Sequence, residues 1–204
     1  NSFTSKLNLN TTTLASAAAQ TGTTTSRKGS VPAVTDVYLA KVDYTDPISG
    51  SLKLETGLKS SLIRSDNNLR YDILNNNTWE YDVNGSNHFK YNEQIHAGYL
   101  NFNKNFKGFS IQAGLRAEYT RTEGHQITTD SLLKRNYFQL FPSVFVNKPF
   151  GENHQLQAAY SRRIERPDYG DLNPFRVFRD PLLYYQGNPF LKPELINTFQ
   201  LSHT

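Results

Sequence analysis

Apolar and polar side chains alternate over several long stretches of this chain. The clearest is Ser51 to Ile63, where Leu52, Leu54, Leu58 and Leu62 share one parity with Thr56 and Ser60, and Lys53, Glu55, Lys59 and Ser61 share the other. Successive side chains of a strand point to opposite faces, so this parity predicts a strand with one apolar and one polar side. Phe109 to Thr122 repeats the pattern, with Ile111, Ala113, Leu115, Ala117 and Tyr119 opposing Gln112, Gly114, Arg116, Glu118 and Thr120. In the hairpin from Tyr137 to Arg166, the second arm aligns Leu156, Ala158, Tyr160 and Ile164 against Gln155, Gln157, Ser161, Arg163 and Glu165, and only Arg162 breaks the apolar row. Asp36 to Asp46 sets Tyr38, Ala40, Val42 and Tyr44 against Lys41, Asp43 and Thr45. Phe89 to Asn103 carries Ile95, Ala97 and Tyr99 in phase, Glu194 to Thr204 starts a final strand with Phe199 and Leu201, and residues 1–9 end a first one. The expected fold is all-β.

Strand length narrows the class. Strands of soluble domains usually run about five or six residues, whereas a tilted strand crossing a bilayer needs about nine to eleven. The expected architecture is an antiparallel up-and-down transmembrane β-barrel segment, about eight strands of a larger barrel. Connector lengths also alternate: short ones lie near 46–50, 104–108 and 148–153, long ones near 10–35, 64–88, 123–135 and 166–193. Outer-membrane barrels have short periplasmic turns and long extracellular loops, and a soluble sandwich has no reason to sort its loops this way. The expected division is therefore a partial strand with a Thr/Ser-rich loop over 1–35, then a barrel segment over 36–204 with long extracellular loops at 64–88, 123–135 and 166–193. Leu69, Tyr71 and Ile73 extend a strand into the first of these loops. Phe106, Phe109 and Phe150 beside the short turns, and Tyr119 and Tyr137 near the strand tops, fit aromatic girdles at the two interfaces.

A basic side chain facing lipid at the bilayer midplane costs about 2 to 4 kcal/mol. Lys53, Glu55, Lys59, Arg116, Glu118, Arg163 and Glu165 are accordingly expected to face the lumen, and with it any ligand. The same parity fits a second reading, a soluble or surface β-sandwich that binds glycan or protein, which predicts Leu52, Leu54, Leu58, Ile111 and Leu115 buried against a second sheet.

The chain has 37% hydrophobic residues, and its 22 basic against 18 acidic side chains give a net charge of +4. Those charges are interleaved rather than gathered in a stripe, which argues against a nucleic-acid partner. Cysteine is absent, excluding disulfides and thiolate metal sites. No apolar run approaches the eighteen or so residues of a membrane helix. The five histidines have no metal-site spacing and read as surface or loop residues; no HExxH, GxSxG, phosphate-binding or dinucleotide-binding glycine motif occurs. Glu118 and Glu123 lie where strands meet loops and nothing sets their separation, so neither an enzyme nor a cofactor is expected. The densest charge cluster, Arg162, Arg163, Glu165 and Arg166, is either an anion-recognition site at the outer rim or a charge ladder on the wall, with Arg162 and Arg166 at headgroup level or in the loop.

The segment YSRRIERPDYGDLNPF (160–175), followed by Gly187-Asn188-Pro189-Phe190-Leu191-Lys192-Pro193-Glu194, resembles the C-terminal half of TonB-dependent outer-membrane receptors, in particular the barrel family common in Bacteroidota. LETGLKSS (54–61), GLRAEYT (114–120) and YFQLFPSV (137–144) are similar to that family's strands, so the resemblance covers roughly 36–204. It implies an outer-membrane location in a Gram-negative bacterium and a barrel of about twenty-two strands. It further implies, as partners in the full-length protein, outer-membrane lipid, a plug domain, the TonB system and an unknown small ligand taken up with inner-membrane energy. This chain opens at Asn1 without Met or a signal pattern and carries neither plug nor TonB-contacting segment, which reads as an internal portion of something longer. In the loop, Arg166, Tyr169, Asn173 and Asn188 are the ligand-facing candidates, while Gly187 and the prolines read as loop architecture. A passive pore without a plug is the third reading.

Overall fold

The computed structural model describes residues 2–12, 26–151, 153–174, 176–180 and 183–204. In chain order these form β1 (Ser2–Thr12), β2 (Ser26–Ser49), β3 (Leu52–Asn75), β4 (Thr78–Tyr81), β5 (Asn87–Phe106), β6 (Phe109–Gln126), β7 (Ser131–Phe150) and β8 (His154–Glu165). A single-turn helix α1 (Tyr169–Leu172), a small hairpin of β9 (Arg176–Asp180) and β10 (Leu183–Gln186), and β11 (Glu194–His203) complete it. One antiparallel sheet runs β1-β2-β3-β5-β6-β7-β8-β11, with β4 beside β3. Eight long strands therefore build the wall, in sequence order.

Cross-strand registers decide which side chains share a face, because directly opposed residues project to the same side. Val42 opposes Leu58, Leu58 opposes Gly98, Gly98 opposes Ala117 and Ala117 opposes Leu140. Two rows nearer the tight turns, Leu54, Phe102, Ala113, Val144, Tyr160 and Phe199 follow one another across the sheet. The separate apolar parities thus merge into one continuous apolar face. It is bare: Val42 is 71% exposed, Leu58 70% and Phe199 79%. No second sheet covers it among the described residues, which corrects the soluble-sandwich alternative; Leu58 and Leu115, which that reading buries, are exposed. From Leu52 to Leu62 the face rises about 25 Å at the usual strand tilt, the height of the apolar band of an outer-membrane barrel.

One phase differs from expectation. Ile95, Ala97 and Tyr99 lie on the polar face, since Ala97 opposes Lys59 and Tyr99 opposes Gly57. The outward residues of β5 are His96, Gly98, Leu100 and Phe102. Tyr99 can occupy the inner wall because its ring lies over Gly57, where an added Cβ would meet the ring at 2.6 Å, and its hydroxyl donates to Asp43. Val37 and Leu39 also fall on the polar face, exposed, and nothing in the structure explains them.

The three tight reversals lie at one edge of the sheet, at residues 50–51, at 107–108 and between the paired Phe150 and His154, with Gly108 and Gly151 in the left-handed region at φ 90° and 63°. The opposite edge is built differently from expectation. Residues 64–75 continue β3, β5 starts at Asn87, and β6 and β7 leave only residues 127–130 between them, so the expected loops at 64–88 and 123–135 are largely strand. The reversal after β3 is at Asn76 and Asn77, both left-handed. Above the apolar band the alternation inverts without the strand ending: Arg64, Asp66, Arg70 and Asp72 take the outward face, and Leu69, Tyr71 and Ile73 the inward one. Of the expected loop at 10–35, residues 26–35 belong to β2, and 13–25 lie outside the described residues.

The β7–β8 ladder starts at Phe150–His154 and ends at Ser143–Ser161. Above it β7 pairs only with β6, while β8 pairs with β11. A gap of about 500 Å³ lies between them, lined by residues that include Asn136, Tyr137, Gln139, Ile164 and Leu195.

Candidate functional site

All seven strand candidates lie on the polar face. Lys59 opposes Ala97 and Ala97 opposes Glu118, which puts Lys53, Glu55 and Arg116 on the same side by parity. Ser161 opposes Ser143, itself opposite Gly114, so Arg163 and Glu165 join them. The lower part of this face is a ladder of ion pairs and hydrogen bonds: Lys41 to Asp43 at 2.7 Å, Lys53 to Glu55, and the Tyr99–Asp43 bond. Arg163 donates to the Thr198 hydroxyl at 3.4 Å, and Glu165 opposes Glu194 at the end of its ladder.

The chain leaving β8 turns onto this polar face. Arg166 Nη2 donates to Glu118 Oε2 at 2.7 Å and to Thr120 Oγ1 at 3.3 Å, while its Nε donates to the Tyr137 hydroxyl at 3.3 Å. The other Glu118 oxygen pairs with Arg116 Nε at 3.3 Å, and the Arg116 guanidinium stacks over Phe141 at 4.7 Å. Thr120 is fully buried and Glu118 and Phe141 are buried, so the carboxylate is removed from water but held by two guanidinium groups. Burial opposes the charge on Arg166, yet the bonds to Glu118 and Tyr137 outweigh it and raise its affinity for the proton.

A second anchor holds the far end of the same segment. The Arg135 guanidinium donates to the carbonyls of Leu191 and Pro189. Asn87 donates to Asn173 at 3.4 Å. Within the segment, Gly187 N donates to the Asn173 carbonyl at 2.9 Å and Asn188 N to the Asp171 carbonyl at 2.6 Å. A Cβ at Gly187 would strike the carbonyls of Gly170, Asp171 and Asn173, so glycine is required for this close approach. Asn188 Oδ1 accepts from Phe190 N at 2.9 Å. Of the loop candidates, Arg166 is therefore spent on the wall, and Asn173 and Asn188 brace the loop itself. Tyr169 opens α1, and its side chain lies outside the described residues.

Between loop and wall lies a pocket of about 140 Å³ lined chiefly by Phe89, Tyr91, Leu133, Leu172, Pro174 and Phe190. Tyr91 donates to Glu93 at 2.9 Å, and burial first, then the Glu93 carboxylate, raise its phenol well above the ordinary value. A group whose folded-state pKa is raised contributes stability that is complete below the unfolded phenol value of about 10 and is lost as pH climbs past it. Tyrosinate absorbance of wild type and Tyr91→Phe is expected to coincide through the ordinary phenol range and to diverge only at more alkaline pH. Divergence inside that range would mean that Tyr91 is not buried as described.

The site is thus an apolar pocket beside a paired polar network, an arrangement suited to holding a small amphiphilic molecule. Among the described residues no group of three or more His, Asp and Glu is placed to hold a metal ion. The sequence located Glu118 and Arg116 by parity and Arg166 by its loop, but not their union. It missed Arg135, Tyr137, Thr120 and Asn87 as site residues; the reading of 123–135 as a long polar loop hid Arg135, although strand parity continued through β7 would have aligned it with Tyr137.

The model of the outer membrane protein beta-barrel family matches residues 1–204. No curated protein matches the chain. The crystal structure of the ferric citrate transporter FecA in the unliganded form resembles it with TM-score 0.44 and 15% identity, over 69% of this chain and 21% of that one. The chain therefore spans about a fifth of that transporter's length.

Proposed function

Because the chain belongs to the outer membrane protein beta-barrel family and so resides in the outer membrane, we propose that it forms an arc of the wall of a TonB-dependent receptor of the type common in Bacteroidota, importing a scarce small ligand. The apolar face meets lipid; the polar face lines the lumen. The observation that carries the reading is that the segment following Glu165 folds onto the polar face, pinned by Arg166 to Glu118, and leaves the apolar face bare. A loop tucked into the lumen narrows the path and presents the pocket beneath it to an entering molecule. In this reading the chain binds and conducts, and it performs no covalent chemistry.

Strands outside this chain close the barrel, since unpaired backbone groups at β1 and β11 would otherwise cost several kcal/mol each in lipid. A plug domain and the TonB system act on the full-length protein. The test uses that protein in purified outer membranes, probed with the periplasmic C-terminal domain of TonB. Specific capture, together with the absence of steady conductance in a planar bilayer, is expected. A folded full-length barrel that ignores TonB and conducts ions continuously is a passive pore, and the receptor reading fails.

A further inference from the structure

A second recess lies on the opposite face of the sheet, at the upper margin of the apolar band. It measures about 320 Å³ and is lined by Leu62, Arg64, Asn92, Gln94, Arg121 and Glu123. These six form two adjacent outward rows: Leu62 opposes Gln94, which opposes Arg121; Arg64 opposes Asn92, which opposes Glu123. The lumen cannot be reached from here, and the inner loop does not touch it.

Charge in the recess is uneven. Glu123 is engaged by Lys134 at 3.3 Å on the neighbouring strand. Among the described residues Arg64 and Arg121 form no ion pair, so two guanidinium groups remain with their forked donors uncommitted, beside the amides of Asn92 and Gln94. That is the donor set that suits a phosphate, which accepts bidentately from Arg. The next outward row toward the tight turns is Ser60, His96, Tyr119 and Phe138, with Ser60 and His96 hydrogen-bonded at 3.0 Å, and below it the apolar row Leu58, Gly98, Ala117 and Leu140 follows across the sheet. The recess therefore sits at the upper margin of the bare apolar face, where Leu58 is 70% and Phe138 59% exposed.

A free anion has no use for the apolar face beneath the arginines, whereas a lipid needs both parts. We propose that the recess is a lipid site: Arg64 and Arg121 bind a phosphate on the headgroup of an outer-leaflet glycolipid, and its acyl chains lie against the apolar face below. The inference depends on the outward assignment of the apolar face and not on TonB or transport.

The full-length protein in detergent is offered the diphosphorylated glucosamine-disaccharide lipid, the same lipid with both phosphates removed, or inorganic phosphate, and retained molecules are counted by native mass spectrometry. Wild type is expected to keep the phosphorylated lipid about tenfold better than the dephosphorylated one, and excess inorganic phosphate should not displace it. Arg64→Gln with Arg121→Gln should lose that preference, Arg64→Lys with Arg121→Lys should keep part of it, and Lys107→Gln, at the tight-turn edge, should keep all of it. Equal retention of the two lipids by wild type overturns the proposal without recourse to any variant. So does undiminished retention by the double glutamine variant, or full displacement by inorganic phosphate, which would mark a free-anion site.

Discussion

Arg166→Ala is expected to free the inner loop while the wall stays folded. The substitution removes three hydrogen bonds and leaves the Glu118 carboxylate, whose side chain is only 9% exposed, with Arg116 alone. Breaking a fully buried pair costs about 3 to 5 kcal/mol. The Arg166 side chain is 22% exposed, so solvent screens part of this. A loss of about 2 kcal/mol in loop docking remains, roughly a thirtyfold rise in the open population. Trypsin cleavage after Arg176 or Arg179, within the same segment, at the surface of intact cells reads that population when opening is fast relative to cutting. Glu118→Gln combined with Arg166→Ala should cost less than the sum of the single changes, because the two groups share one interaction. Unchanged cleavage in Arg166→Ala would show that Arg135 holds the loop unaided.

Leu58→Arg is expected to be the most damaging single change in the wall. Leu58 sits midway between Leu52 and Leu62 on the outward face and is bare in the sheet. A basic residue at the bilayer midplane costs about 2 to 4 kcal/mol, or about 30- to 700-fold in the folding equilibrium. Ser61→Arg, three residues away on the inner face, should cost almost nothing, since that face already carries Lys41, Lys53 and Lys59. Guanidinium titrations of the full-length protein refolded into lipid vesicles compare the two directly. Similar midpoints for both variants would contradict the assignment of faces.

Legibility of the fold followed the membrane. Within the apolar band water is absent on one side, so outward residues are mostly apolar and uncharged, and strands such as Leu52 to Leu62 and Ile111 to Tyr119 announce their phase. β5 is the exception: Gly98 and His96 face outward while Ile95 and Ala97 face in, so residue type misreports the phase and only the partner strand corrects it. Above the band the faces exchange character, and Arg64 to Asn75 continues as strand with Arg64, Asp66, Arg70 and Asp72 outward and Leu69, Tyr71 and Ile73 inward. The Asn and Gly residues that suggested a loop there do mark reversals, but at residues 76–77 and 82–86 alone. The candidate site was half legible for the same reason. Parity put Glu118 on the correct face, whereas the bond from Arg166, 48 residues further along, depends on how a proline- and glycine-rich segment folds back, which no periodicity encodes.

Mechanically, the wall has a fault line. The rungs between β5 and β6 run unbroken from Phe89 to Phe106, while those between β7 and β8 reach only from Phe150 up to Ser143. Tension drawing the Arg166 end of β8 outward falls first on the bonds of Arg166 to Glu118, Thr120 and Tyr137; once these part, it passes to the uppermost rung, Ser161 to Ser143, and opens the rest one at a time like a zip. Pulled from that end, the sheet parts between β7 and β8 before the neighbouring pairs, whose ladders are longer.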